Sequence, residues 1–134
     1  DGHITFVDGD IYGDTGAYLS LGPYVIKKAG IHAVGPYHVP NIRVDTYTCY
    51  TNNLTSGAMR GFGVQQGAVA HESQMDMLAE RLKISPLDFR LINSLKPGLT
   101  SSTGQVMNDG CGIEETVRRI KEHMESHNLR FSRS

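Results

Sequence analysis

A chain of 134 residues with 39% apolar and 20% charged residues has the size and composition of one globular domain, neither disordered nor membrane-spanning. Its formal net charge of −1 gives no electrostatic basis for nucleic-acid binding, and no signal peptide or apolar run of transmembrane length is visible in these residues. Cys49 and Cys111 stand far apart without metal-ligand spacing, which favours inert, reduced thiols and a cytoplasmic location.

The chain opens on DGHITFVDGDIYGDTGAY, passing from a turn straight into a strand with nothing like an initiator, and so reads as a piece of a longer protein. Asp1-Gly2 is a hairpin signal, and Ile4, Phe6, Ile11 and Tyr12 suit a strand that continues to about Tyr12. Gly13 to Gly16, reading GDTG, is a turn or bulge. Leu19 to Ala33 is ambiguous: Pro23 opens a short helix carrying Tyr24, Val25, Lys27 and Lys28, and Gly30 closes it. Pro36 and Pro40 bracket an extended connection to IRVDTYTCY, Ile42 to Tyr50, whose alternation and β-branched and aromatic content make the most secure strand. TNNLTSG is a polar loop.

From Val64 to Leu82 the apolar residues Val64, Ala68, Met75, Leu78 and Leu82 recur at helical spacing. Ser85 caps a second helix with Pro86 at its first position; it runs to about Leu95, where Lys96-Pro97-Gly98 stops it. LTSSTGQVMNDGCG is loop. A last helix spans about Ile113 to His127, with Ile113, Val117, Ile120 and Met124 on one face, and the tail after Leu129 reads as frayed. No repeat or linker divides the chain. The expectation is a single α+β unit with a few antiparallel or mixed strands and about three helices.

GAMRGFGVQQG, Gly57 to Gly67, is the stretch with chemistry in it. Glycines on both sides of Phe62 permit positive φ and close backbone approach, and the following helix turns its free N–H groups toward the loop. That suits an anionic or polarised oxygen or sulfur ligand, yet the same residues also fit a plain loop-to-helix turn with Arg60 solvated. The glycine spacing is neither a dinucleotide fingerprint nor a phosphate loop. The six histidines form no metal spacing, and His123 and His127 read as a solvated pair. HES at 71–73 lacks a serine-elbow context, and Asp8, Asp10 and Asp14 read as strand edge and turn because no calcium loop follows. Lys27 and Lys28 read as a solvated face, although one lysine can serve as the cation for an anionic substrate.

Taken together, GDTGAY, VPNIRVDTYTCYTN, SGAMRGFGVQQ and the helical stretch ESQMDMLAERLKISPLDFRLIN resemble the molybdenum-binding subunit of the xanthine dehydrogenase and aldehyde oxidase family. The likeness runs from the DGHI turn to GCGIEETVRRI, and its most specific part is the A-x-R-G-F-G-x-x-Q pattern at Ala58 to Gln66. It implies that residues 1–134 are part of the molybdopterin-binding domain of a longer protein. It further implies that the Arg60 backbone amide faces the ligand sphere of a molybdenum held by molybdopterin, with Gly61, Phe62 and Gly63 lining the cofactor. Phe62 would also offer a ring on which a flat heterocyclic substrate packs.

The implied reaction is hydroxylation of a heteroaromatic ring or aldehyde carbon with water as oxygen source, the work of an oxidoreductase acting on CH or CH2 groups. Electrons would leave through iron–sulfur clusters and FAD on other domains or subunits. The family's base glutamate has no match here, so the resemblance implies no catalytic residue in this chain and no activity of the chain alone. Where purine-oxidising relatives carry an arginine facing substrate, twelve positions before the proline of VPNIR, this sequence has Lys28. Gln65-Gln66 replaces the usual Pro-Gln after the loop, removing a fixed φ and adding a donor. Purines, nicotinate-like heteroaromatic acids and aldehydes all stay open as substrates. A second function also stays open: a non-catalytic binding or assembly module with the same fold. Neither reading involves nucleic acid or a membrane as partner.

Overall fold

The computed structural model describes residues 1–129. Its elements follow the order β1 (Val7–Gly16), α1 (Gly22–Ile31), β2 (Ile42–Tyr50), α2 (Val64–Leu82), α3 (Pro86–Asn93) and α4 (Ile113–Ser126). The class is α+β, with four helices once the ambiguous Pro23 segment is counted. The expected fraying after Leu129 lies outside the described residues.

The two strands correct the expected antiparallel or mixed arrangement, because β1 and β2 pair in parallel from Val7↔Ile42 to Gly16↔Tyr50. A tight hairpin joins only antiparallel neighbours; a parallel pair needs a long crossover, and residues 17–41 supply it with α1 inside. Asp1-Gly2 makes no hairpin either. Instead Gly2 is buried, and its carbonyl accepts a 2.8 Å hydrogen bond from Asn93 Nδ2, while Asn93 Oδ1 accepts the Ile4 N–H at 2.8 Å. The first residues are therefore pinned to α3, and the strand starts at Val7 rather than Ile4. GDTG closes the strand with a register break between Asp14 and Gly16, which is the bulge form of the turn-or-bulge expectation.

Alternation along β1 sends Asp8, Asp10 and Tyr12 outward and Val7, Ile11 and Thr15 inward. On the outer face Arg43 pairs with Asp8 at 2.6 Å and with Asp45, and Tyr12 stacks on Tyr47 with ring centroids 4.8 Å apart. Helix α1 lies on the inner face, close enough that a Cβ on Gly30 would stand 2.5 Å from Thr46 Cγ2.

Helix α2 has the predicted bounds, but its buried residues are Gly67, Met75 and Ala79, while Leu78 and Leu82 stay largely exposed. The core forms where α2 meets α3: Tyr37, Met75, Ala79 and Phe89 cluster there, with Ile4 and Ile84 against them. Complete burial of a side chain such as Phe89 contributes about 1.5–3 kcal/mol. Arg90 locks the same junction, donating to Glu72 Oε2 at 2.7 Å and Asp76 Oδ1 at 2.7 Å, while Tyr37 Oη donates to Glu72 Oε1 at 2.8 Å. Burial works against the Arg90 charge, yet hydrogen bonds to Asp76 and Glu72 outweigh it and hold the guanidinium firmly protonated. On α4 Val117 is buried, Ile113 and Met124 are half-buried and Ile120 is exposed, and the Lys121–Asp88 ion pair at 2.6 Å ties the helix to α3.

Candidate functional site

The loop before α2 takes a conformation that most residue types resist. Gly61, Phe62 and Gly63 have φ of +92°, +56° and +90°, three left-handed positions in succession. Phe62 is the non-glycine member, held half-buried between two residues that have no side chain. A turn fixes it: the Phe62 N–H donates to the Met59 carbonyl at 2.9 Å, and the Val64 N–H to the Gly61 carbonyl at 3.1 Å. Gln65 braces the loop from the helix side, its Nε2 donating to the Arg60 carbonyl at 2.6 Å. The extra donor gained where Pro-Gln is usual is thus used within the loop.

What the loop leaves free is a set of donors. Among the described residues, the N–H groups of Arg60, Gly61, Gly63, Gln65 and Gln66 have no acceptor. Arg60 and Gly61 are exposed, and the Arg60 guanidinium makes no ion pair among the described residues. Unpaired amides around a left-handed turn at a helix N-terminus suit an oxygen- or sulfur-rich anionic ligand, while the Cβ side of Gly61 is taken up by the Gln65 amide and that of Gly63 by the Val25 carbonyl. The residues present fit a group of that chemistry.

Two contacts set where the loop lies. Gly63 rests on α1, where an added Cβ would overlap the Val25 carbonyl oxygen; one turn on, a Cβ on Gly67 would touch the Ala29 carbonyl oxygen at 3.4 Å. At the other end, the segment 51–56 is bonded to the end of β1. Asp14 accepts hydrogen bonds from Thr51 Oγ1 at 2.6 Å, Asn53 Nδ2 at 2.5 Å and the Gly16 N–H at 2.7 Å. Those three donors hold the Asp14 carboxyl below its ordinary range, the Thr51 hydroxyl contributing most.

Lys28 is exposed on α1, one turn beyond Val25, and makes no ion pair among the described residues. Together with His32, His71, Ser101, Thr103 and Gln105 it lines a cavity of about 600 Å³. Phe62 is not part of that wall, so the structure joins Arg60, Gly61, Phe62 and Gly63 in one loop but does not bring Lys28 and Phe62 to one cavity. His71 carries a buried Nδ1 with no partner among the described residues. Nothing in HES foretold that, and Asp14 was legible only as a turn residue. Among the described residues no three His, Cys, Asp or Glu side chains gather as a metal site.

A family model described as the molybdopterin cofactor-binding domain matches residues 1–94. The chain belongs to this family, that of the xanthine dehydrogenase and aldehyde oxidoreductase molybdenum subunits. The nicotinate dehydrogenase large molybdopterin subunit of Eubacterium barkeri is 48% identical over 122 residues, which are 91% of this chain and 29% of that protein. The aldehyde oxidoreductase of Megalodesulfovibrio gigas is 37% identical over 105 residues, 78% of this chain and 12% of that one. Among solved structures, quinoline 2-oxidoreductase from Pseudomonas putida superposes with a TM-score of 0.83 at 28% identity, over 96% of this chain and 17% of its own. The molybdopterin-domain chain thus spans under a third of the length of these relatives. No helix among its described residues is long and apolar enough to cross a membrane.

Proposed function

We propose that this chain forms, within a longer molybdenum hydroxylase subunit, the loop that seats the molybdopterin centre, and that the parent enzyme hydroxylates a carboxylate-bearing nitrogen heterocycle. Residues 1–134 are on this reading one part of the molybdopterin-binding domain. The observation that carries it is the run of unpaired N–H donors at Arg60, Gly61 and Gly63 on a left-handed turn at the start of α2. When bound, the molybdenum centre supplies oxygen transfer and two-electron redox chemistry.

The work of this chain is to bind and orient. Arg60 and Gly61 offer main-chain N–H groups to the centre's outer ligands, and Gly63 keeps the turn tight against α1. Phe62 presents its ring to a flat substrate. Lys28, though it lines a cavity that Phe62 does not, supplies on this reading the cation for a carboxylate at the substrate's far end, a choice supported by the 48% identity to a protein named nicotinate dehydrogenase. The base that activates water lies elsewhere in the subunit, and the electrons pass to iron–sulfur and flavin groups on other domains or subunits. Two free cysteines suit a cytoplasmic location.

The test is purification of the full-length subunit with its partners, followed by metal analysis and turnover on nicotinate, xanthine and a simple aldehyde. About one molybdenum per subunit is expected, with nicotinate the preferred substrate; the 134-residue chain alone should hold no molybdenum and turn over nothing. A metal-free full-length subunit sinks the cofactor role, and an aldehyde preference sinks the substrate.

A further inference from the structure

The loop 57–63 is anchored at its far end by Gly63 on α1, but its near end follows an exposed stretch, 52–56, with no regular structure. A segment of that kind needs a fixed point, and the end of β1 provides one. Asp14 contributes both carboxylate oxygens: Oδ1 accepts from Thr51 Oγ1 and the Gly16 N–H, and Oδ2 from Asn53 Nδ2. Its carbonyl accepts the Ser56 hydroxyl at 2.5 Å, and the Ser56 N–H donates to the Thr15 carbonyl at 3.0 Å. The backbone adds Thr51 N–H to Gly16 carbonyl at 3.1 Å and Ala17 N–H to Asn53 carbonyl at 3.1 Å. Between these bonds Gly16, at φ +73°, lies so close to Leu54 that a Cβ would overlap the Leu54 carbonyl. A carboxylate suits this arrangement, because it accepts from the fixed Gly16 N–H, the Thr51 hydroxyl and the Asn53 amide at once and carries the charge that strengthens all three bonds.

We propose that Asp14 is a positioning residue: its carboxylate clasps Thr51 and Asn53 and thereby fixes where the loop 57–63 begins. Residues 57–63 are then held from two sides, by the clasp at β1 and by Gly63 against the Val25 carbonyl. The clasp itself stands on these contacts alone; its consequence for the cofactor rests on the function proposed above.

Asp14→Asn keeps the size of the side chain but removes its charge and replaces one acceptor by an NH2 group, which the clasp accommodates only by turning the Asn53 amide or the Thr51 hydroxyl round. In the full-length subunit, hydrogen exchange of the hydrogen-bonded Ser56 and Phe62 amides should quicken about ten-fold in Asp14→Asn, with α2 and α3 amides unchanged. Thr51→Val should give a smaller increase in the same amides, and Thr51→Ser, which keeps the hydroxyl, should restore the parent rate. Molybdenum content should fall in step with the exchange. Faster exchange with full molybdenum content upholds the clasp and refutes the cofactor role of the loop. Unchanged exchange at Ser56 and Phe62 in both Asp14→Asn and Thr51→Val overturns the proposal. So does equal quickening across every helix, which would mark Asp14 as a general stabiliser. If Asp14→Asn fails to fold, the valine and serine pair at Thr51 decides alone.

Discussion

Replacing Gly63 by alanine sets two costs side by side that the structure allows to be separated. The first is conformational: at φ +90° an alanine costs about 1–2 kcal/mol that glycine avoids. The second is contact, since the new Cβ would overlap the Val25 carbonyl oxygen, a backbone atom that moves only if α1 moves. Forcing a packed interface apart in this way costs typically about 1–3 kcal/mol more. Gly98 supplies the control, with φ +84° and nothing within 4 Å of a built Cβ. Gly98→Ala should therefore lose about 1 kcal/mol and Gly63→Ala about 3 kcal/mol. Gly61→Ala should fall between them, because its φ is +92° but the atoms it meets are the mobile end of Gln65. Urea unfolding of the purified chain, at unchanged slope, measures all three. Equal losses at positions 63 and 98 would show that Gly63 is there for its φ alone and that the contact with α1 positions nothing.

Arg90→Met removes the guanidinium between Glu72 and Asp76 and should destabilise by about 2 kcal/mol, whereas Asp76→Ala, at a 62% exposed side chain, should cost under about 1 kcal/mol; thermal unfolding compares them. The Asp14 carboxyl titrates below its ordinary value of 3.8, so its support of the loop is complete above that value and is lost as the pH falls through the lower folded one. An NMR titration of Asp14 with a midpoint at or above 3.8 would refute the three-donor account. In the full-length enzyme, Lys28→Met should lower turnover on nicotinate by about ten-fold or more while sparing neutral aldehydes, and Lys28→Arg should keep the charge and alter the preference for purines. Equal effects on all substrate classes would return Lys28 to the solvated face.

Helix α2 could be read to its last residue because its signals are local: a glycine-rich entry, apolar spacing and a run without proline. Ile42 to Tyr50 was legible for the same reason, as strong alternation needs no partner to be seen. The pairing of the strands was not. Parallel and antiparallel neighbours present the same alternation, and only the crossover through residues 17–41 distinguishes them, which depends on whether Pro23 opens a real helix. The first residues misled because Asp1-Gly2 is also what a chain needs to bring a carbonyl to Asn93, a partner far along the sequence. Gln65 and Phe62 show the same limit within the site. The pattern marked the loop, but not that a glutamine would bond back to the Arg60 carbonyl or that Phe62 would itself adopt positive φ.

That last feature bears on why the loop is built from R-G-F-G and from no simpler turn. A left-handed Phe62 costs conformational energy, which only a surrounding that fixes both neighbours can hold in place. Gly61 and Gly63 accept their own positive φ without strain, so the cost is confined to one residue. The gain is directional: three left-handed residues in a row turn the N–H groups of Arg60, Gly61 and Gly63 away from the chain's own carbonyls. An ordinary turn also leaves its two central N–H groups free, but it does not bring them into one run with the unpaired N–H groups that open a helix. Phe62→Gly is therefore the informative change, since it removes the ring and the strain but keeps the donors. It should make the chain no less stable by more than the half-buried ring contributes, about 1–2 kcal/mol, and should leave molybdenum content of the full-length subunit intact. Substrate KM should rise while the metal stays. Loss of molybdenum in Phe62→Gly would mean that the ring, and not the main chain, holds the centre.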